Sequence, residues 1–209
     1  MAKFLACAHI SCCLLAMSLS KLRHGEDCAG ISGSGAALKE IFKDGRTIRH
    51  VFASEKCPFT AAILKASYNI ETFFDDATNR DHSQFAGCLD VYVAGPPCQP
   101  FSMNGKQRGL FDSRSHVILS ILETIDAVRP NIFVLEQVAT FLTRNQKLCN
   151  IVLKFLGGIK DAAGRPAYGI NLRILYGFHN GLPQQRRRLY IVGIKKIKLT
   201  RGLHFEWPC

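Results

Sequence analysis

The sequence predicts an α/β fold, a mostly parallel sheet with helices on both faces. Short apolar runs of strand length recur along the chain, and segments with helical spacing lie between them. Such alternation marks parallel strands joined by crossover helices. The composition agrees: 47% of the 209 residues are hydrophobic and 21% charged, enough to bury one sizeable core.

The elements follow in order. Gly35 to Lys43 has helical spacing and precedes a strand at Val51-Phe52-Ala53. Pro58 to Tyr68 forms the next helix, with Pro58 in the first turn, where its missing N–H is not needed. Asp90 to Gly95 reads as a buried strand and Val117 to Val128 as a helix. Pro130 suits the re-entry into a strand at Asn131 to Glu136, Gln146 to Lys160 forms a further helix, and Leu189 to Ile194 is the last strand. The folded domain is expected over residues 26–200, with 201–209 starting a further C-terminal region. Residues 1–25 are expected outside the core. Lys3, the apolar run after it and the lack of any acid before Glu26 read as a secretory or organelle leader, or as a segment with no targeting role.

No repeat, sustained heptad or long charge-free apolar run appears, which excludes collagen-like, coiled-coil and polytopic membrane classes. Lys and Arg total 27 against 16 Asp and Glu, a net charge of +11 that points toward a polyanionic partner. The nine cysteines are odd in number and irregularly spaced, which argues against a disulfide framework. No Cys or Cys/His grouping has zinc-ligand spacing, so no metal is expected.

In such sheets, ligands gather at the carboxyl ends of the strands. One strand leads into Gly95-Pro96-Pro97-Cys98-Gln99-Pro100-Phe101-Ser102. The prolines stiffen the backbone and aim the Cys98 thiol, whose thiolate is a nucleophile; a turn cysteine without chemistry is the plainer reading. Another strand ends at Glu136. Burial there would raise the carboxyl pKa and suit proton donation, while a helix-capping acid is the alternative. Arg186, Arg187 and Arg188 lead into the last strand. Alternation sends Arg186 and Arg188 to one face and Arg187 to the other, a pair able to hold a carbonyl, phosphate or carboxylate rather than a solvated run.

Taken together, these blocks resemble the C5-cytosine methyltransferases, and the chain is similar to that family over roughly residues 26–196. Residues 95–102 resemble its catalytic block, 105–114 its mobile loop, Glu136-Gln137-Val138 its Glu-Asn-Val, and Gln184 to Arg188 its Gln-x-Arg-x-Arg. Upstream, Asp27 to Gly33 resembles the Phe-x-Gly-x-Gly-Gly cofactor loop, with Cys28 in place of the aromatic and Ser32 in place of a glycine. The resemblance implies a Rossmann-like S-adenosylmethionine-dependent methyltransferase fold and S-adenosylmethionine as cofactor. Its binding set would be Cys28, Ala29, Gly30, Gly33, Glu55, Lys56, Asp76, Ala77, Gly95 and Pro97, with Glu55 on the ribose and Asp76 on the adenine amine. Lys56 stands where the family has an apolar or aromatic residue, so the adenine sandwich would be thinner.

The activity implied is DNA cytosine-5 methylation of a base flipped from the duplex. Cys98 would attack C6, Glu136 would protonate N3, and Arg186 and Arg188 would contact the base or position Cys98. Ser102, Asn104, Lys106, Gln107 and Arg108 would contact DNA, simple solvation being the alternative for Lys106 and Arg108. Gln137 adds one methylene to the family's Asn, so local distortion is expected. The family's recognition region and last motifs have no match, and the chain reads as a catalytic core that ends early. A transfer-RNA methyltransferase and an inactive nucleic-acid-binding fragment stay open as alternatives. The implied location is nuclear in a eukaryote and cytoplasmic in a prokaryote, unless residues 1–25 direct the chain to an organelle.

Overall fold

In the computed structural model the residues described are 21–42, 47–97, 116–180, 183–196, 205 and 207. Seven strands form one sheet in the order β3-β2-β1-β4-β5-β7-β6. They are β1 (Lys21–Asp27), β2 (Thr47–Ser54), β3 (Ile70–Phe74), β4 (Val91–Ala94), β5 (Ile132–Val138), β6 (Tyr168–Tyr176) and β7 (Arg187–Lys195). β1 to β5 run parallel, whereas β7 lies antiparallel between β5 and β6. The helices are α1 (Gly33–Ile41), α2 (Pro58–Ser67), α3 (His116–Val128), the single turn α4 (Thr140–Thr143) and α5 (Gln146–Gly158).

The sheet is covered on both faces, as expected for parallel strands. On one face, Ile121 and Ile125 of α3 and Val152 and Leu156 of α5 pack with Phe52, Tyr92, Phe133 and Ile191. On the other, Ala37 and Leu38 of α1 pack with Leu22, Val93, Val134 and Val192. Phe205 and Trp207, expected to open a separate region, pack against this second cluster.

Three strands were not read in the sequence. β1 carries His24, Glu26 and Asp27, all buried, and so has no apolar run to announce it. The boundary expected at residue 26 therefore falls inside a central strand whose pairing with β2 begins at Lys21. β3 is short and β6 is a half-exposed edge strand, which weakens the hydrophobic pattern of both. β2 begins at Thr47, before the expected Val51; α1 ends at Ile41 and α5 at Gly158, and Lys43 lies outside the described residues.

Candidate active site

The strand order reverses between β1 and β4, and a crevice opens beyond the carboxyl ends at such a point. Here it is a cavity of about 870 Å³, within the size range of small-molecule sites. Cys28, Gly30, Glu55, Lys56, Asp76, Ala77, Gly95 and Pro97 line it, all of them expected from the sequence. Ala29 and Gly33 do not; Ala29 instead anchors the loop by donating its N–H to the Ser54 carbonyl at 3.0 Å, and Gly33 starts α1. Ser54, Cys57, Thr78, His116 and Val117 also line the cavity and were missed. Their signal was adjacency: the first three neighbour expected residues, while His116 and Val117 open the helix that follows the catalytic block.

The loop after β1 is strained and held from several sides. Cys28 and Ser32 take positive φ of 53° and 57°, a conformation unfavourable for side-chain-bearing residues. The Cys28 N–H reaches Ser54 Oγ at 3.4 Å and the Gly30 N–H reaches Glu55 Oε2 at 2.7 Å. Ser32 Oγ accepts from the Gly35 N–H at 3.1 Å, capping α1. Beneath the loop Asp27 is fully paired: Ser54 Oγ donates to Oδ1 at 2.6 Å, Tyr92 donates its hydroxyl to Oδ2 at 2.5 Å, and Arg80 grips both oxygens.

Across the cavity, Glu55 Oε1 accepts from the Cys57 N–H at 2.8 Å. Each Glu55 oxygen therefore bonds one amide and keeps a second lone pair for a ligand hydroxyl. Lys56 Nζ lies 2.8 Å from Asp76 Oδ2, and Thr78 donates its N–H and hydroxyl to Asp76 Oδ1. The hydrogen bond from Lys56 chiefly, with those from Thr78, holds the Asp76 carboxyl down at about 2. Burial first, then the charges of Asp27, Glu55 and Asp76, push the Cys28 thiol up to about 12, so it lines the cavity as a neutral, weakly polar wall.

The other expected groups meet at the ends of β5 and β7. Register pairs Val138 with Arg188 and Glu136 with Tyr190. Arg188 Nε lies 2.8 Å from Glu136 Oε1 as an ion pair, and the same oxygen accepts from an Arg186 terminal nitrogen at 3.2 Å. Arg187 faces the other way, 5.2 Å over the Tyr176 ring. The expected alternation of the three arginines is thus present. Glu136 is not the isolated buried carboxyl that its apolar strand implied, because two guanidiniums share one of its oxygens. Oε2 has no hydrogen bond among the described residues.

Gln137 is buried and joins the two halves of the site. Its Nε2 donates to the Pro96 carbonyl at 3.3 Å, and its Oε1 accepts from the Val138 N–H at 3.1 Å. The added methylene is accommodated: this amide ties the Gly95–Pro97 turn to the end of β5. Cys98, Ser102, Asn104, Lys106, Gln107 and Arg108 lie outside the described residues.

The comparisons with known proteins agree with this arrangement. The family model for C-5 cytosine-specific DNA methylase matches residues 23–208. The chain is similar to the type II methyltransferase M.NlaX of Neisseria lactamica, 30% identical over 181 residues that cover 86% of this chain and 53% of that protein. It is 31% identical to M.HaeII of Haemophilus aegyptius over 162 residues, or 77% of this chain and 46% of that one. Among solved structures, S. pombe Dnmt2 methyltransferase matches with a TM-score of 0.63 at 22% identity, covering 90% of this chain and 52% of that chain. The Entamoeba histolytica methyltransferase EhMeth matches with a TM-score of 0.67 at 18% identity, covering 90% and 58%. The fold is therefore the Rossmann-like one of S-adenosylmethionine-dependent methyltransferases, with the antiparallel β7 inserted beside β5. The chain spans about half the length of the curated relatives it matches.

Proposed function

This chain belongs to the C-5 cytosine-specific DNA methylase family, and we propose that it transfers a methyl group to C5 of a cytosine in DNA. One observation carries the reading. A cofactor-sized cavity and a carboxylate held by two arginines lie on either side of a single Pro-Pro turn, tied to both, and that turn leads into Cys98.

S-adenosylmethionine, the cofactor proposed for the cavity, supplies an electrophilic methyl group when bound. The residues present fit it. Glu55 keeps free lone pairs for ribose hydroxyls, and Asp76 offers an acceptor for the adenine amine. The Cys28 thiol, Ala77, Pro97 and Val117 give weakly polar walls. The Lys56–Asp76 pair spans the part of the wall where the family places an adenine-stacking residue.

The chemistry then falls to this chain's side chains. The target cytosine leaves the stack, because C5 and C6 are shielded within it. The Cys98 thiolate adds to C6, and Glu136 delivers and holds a proton at N3, so that charge does not build up on the ring. Arg186 and Arg188 fix the Glu136 carboxylate so that Oε2 faces the base, and their remaining N–H groups serve the base carbonyl. Once C5 carries the methyl group its proton passes to water, and the C5–H electron pair re-forms the C5–C6 double bond as the C6–S bond breaks. Cys98 leaves as thiolate, and the N3 proton returns to Glu136. Ser102, Asn104, Lys106, Gln107 and Arg108 hold the DNA backbone and the flipped base.

Duplex DNA and transfer RNA, each with radiolabelled cofactor, are assayed in parallel, and 5-fluorocytosine DNA is used as a covalent trap. We expect label in DNA and an adduct that disappears in Cys98→Ser. Label in transfer RNA alone, or a folded protein that forms no adduct, overturns the proposal.

A further inference from the structure

Below the cofactor loop, on the α1 face of the sheet, three buried ligand-type side chains converge that the methyl-transfer site does not use. His24 and His50 are register partners on the adjacent strands β1 and β2. Glu26 lies two residues beyond His24 and so projects to the same face. Their exposures are 0%, 2% and 5% for His24, Glu26 and His50. One donor atom from each lies within 4.8 Å of the others, and His50 Nε2 is 3.0 Å from Glu26 Oε1. The imidazole centroids of His24 and His50 are 4.6 Å apart.

Within the described residues these donors meet only one another. Both ring nitrogens of His24, Nε2 of His50 and Oε1 of Glu26 are buried without a hydrogen-bond partner among the described residues. The 3.0 Å approach of His50 to Glu26 lacks hydrogen-bond alignment. Buried polar groups are rarely left unpaired, and one donor atom from each of three residues within 4.8 Å of the other two calls for a shared partner.

We propose that His24, Glu26 and His50 bind a divalent transition-metal ion of zinc-like chemistry. Two imidazoles and a carboxylate suit such an ion, and three protein ligands leave a fourth position open. Tetrahedral bonds of about 2.0–2.2 Å place the donors roughly 3.3–3.6 Å apart, so the Glu26–His50 pair needs to open by only about half an ångström. Rotation of the His24 ring closes the third side. Glu26 Oε2 is fixed by the Ser34 hydroxyl of α1, the outer-shell contact that orients a ligating carboxylate.

Room and access are present as well. A cavity of about 220 Å³ adjoins the trio, with His24, His50, Gly35, Tyr68 and Lys39 among its walls. Tyr68 meets His50 edge-on at 5.8 Å and donates its hydroxyl to the Ser32 carbonyl at 3.2 Å. A side chain on Gly35 would collide with Ser32 Oγ at 2.6 Å and Tyr68 Cε1 at 2.8 Å, so only glycine lets the helix come this close. Lys39 is the cation at the mouth, its ammonium 4.3 Å from the Tyr68 ring centre. The ion would cross-link β1 to β2 directly under the cofactor loop. No sequence spacing announced it, because the ligands come from two strands brought into register by the fold.

The test uses the full chain, freed of metal with a chelator and titrated with Zn²⁺ and Co²⁺. We expect one equivalent bound, with visible cobalt ligand-field bands and no sulfur-to-cobalt charge transfer, which separates this site from the nine cysteines. His24→Gln and His50→Gln should each weaken binding by at least about 100-fold, and Ser34→Ala by roughly tenfold. Should the histidine variants fail to fold, ring-nitrogen NMR of the unmodified chain, which has seven histidines, serves instead: Zn²⁺ should shift two of them together. Absence of a bound equivalent, thiolate charge transfer, unchanged binding in His24→Gln, or unmoved histidine resonances would each overturn the proposal.

Discussion

Replacing Asp27 with asparagine keeps the side chain's shape but removes its charge, and the cost can be worked from its partners. Asp27 and Arg80 are almost wholly buried, with side-chain exposures of 0% and 1%. The guanidinium lies 4.4 Å from the Phe52 ring centre and 5.3 Å from that of Phe74, and one terminal nitrogen also donates to Thr124 Oγ1 at 2.9 Å. Burial, then the Asp27 charge, raises the Tyr92 hydroxyl well above the ordinary phenol range, so it is a donor at every working pH. The asparagine amide offers one acceptor oxygen where Asp27 had two, and leaves the Arg80 charge uncompensated among aromatic rings.

Breaking a buried pair from one side costs about 3–5 kcal/mol. For a domain of this size each kcal/mol moves the melting temperature by roughly 2–4 °C, so Asp27→Asn should melt about 6–20 °C lower. The double variant Asp27→Asn with Arg80→Met removes both charges and should recover most of that loss, a coupling of at least about 2 kcal/mol. Thermal and urea unfolding of the four proteins in the cycle measure both quantities. A loss below about 1 kcal/mol in the single variant, or strict additivity in the double, would refute the buried-charge account.

Three further outcomes follow from named contacts. On β7, Gly193 sits opposite Phe133, whose ring would lie 2.1 Å from an added Cβ, so Gly193→Ala should cost about 1–3 kcal/mol and lower the urea midpoint; an unchanged midpoint would mean that Phe133 moves freely. Asp76 is held at about 2 by Lys56, so this pair contributes fully above the ordinary aspartate pKa near 3.9 and is lost as pH falls through about 2; carboxyl NMR should find the low midpoint in the native chain and a return toward 3.9 in Lys56→Ala. Gln137→Leu leaves the Pro96 carbonyl and the Val138 N–H unpaired, which costs about 1–3 kcal/mol; it should slow covalent trapping of 5-fluorocytosine DNA while cofactor binding, followed by calorimetry, stays near the native value. Equal losses in both would assign Gln137 to general stability.

What could be read from the sequence depended on whether local pattern or tertiary partners set a residue's place. Val91 to Ala94 and Ile132 to Leu135 are continuous buried runs, and such runs identify themselves. Arg187 and Arg188 alternated as expected because β7 is a regular strand, and Arg186, just before it, joins Arg188 at Glu136. Glu55, Asp76 and Pro97 line the cavity as the family resemblance implied, although the strand before Asp76 was not read. Glu136 was legible as a site residue but not in its environment, since its arginine partners are about 50 residues away and meet it only through antiparallel β5–β7 pairing. His116 and Val117 had adjacency as their signal, but their place on the cavity wall depends on how α3 approaches the sheet.

β1 was the hardest element to read, and the reason bears on how the loop after it is held. A strand buried on both faces of a parallel sheet is ordinarily apolar throughout. β1 instead carries polar groups on both faces, and the two faces are satisfied differently. Toward α3, Asp27 has Arg80, Tyr92 and Ser54, and Arg23 has Asp90, so every charge is matched. Toward α1, Glu26 has the Ser34 hydroxyl on one oxygen and His50 at 3.0 Å from the other without hydrogen-bond alignment, while the His24 ring nitrogens lack partners among the described residues. The two faces share no hydrogen-bond partner, so their contributions should add. Zinc at about 100 times its dissociation constant should stabilise the chain by roughly 2.7 kcal/mol, or about 5–10 °C. Asp27→Asn should gain the same increment to within about 0.5 kcal/mol although it starts from a lower melting temperature. A clearly smaller increment would show that the loop and both faces of β1 yield as one unit, and that Asp27 helps to shape the histidine site from across the sheet.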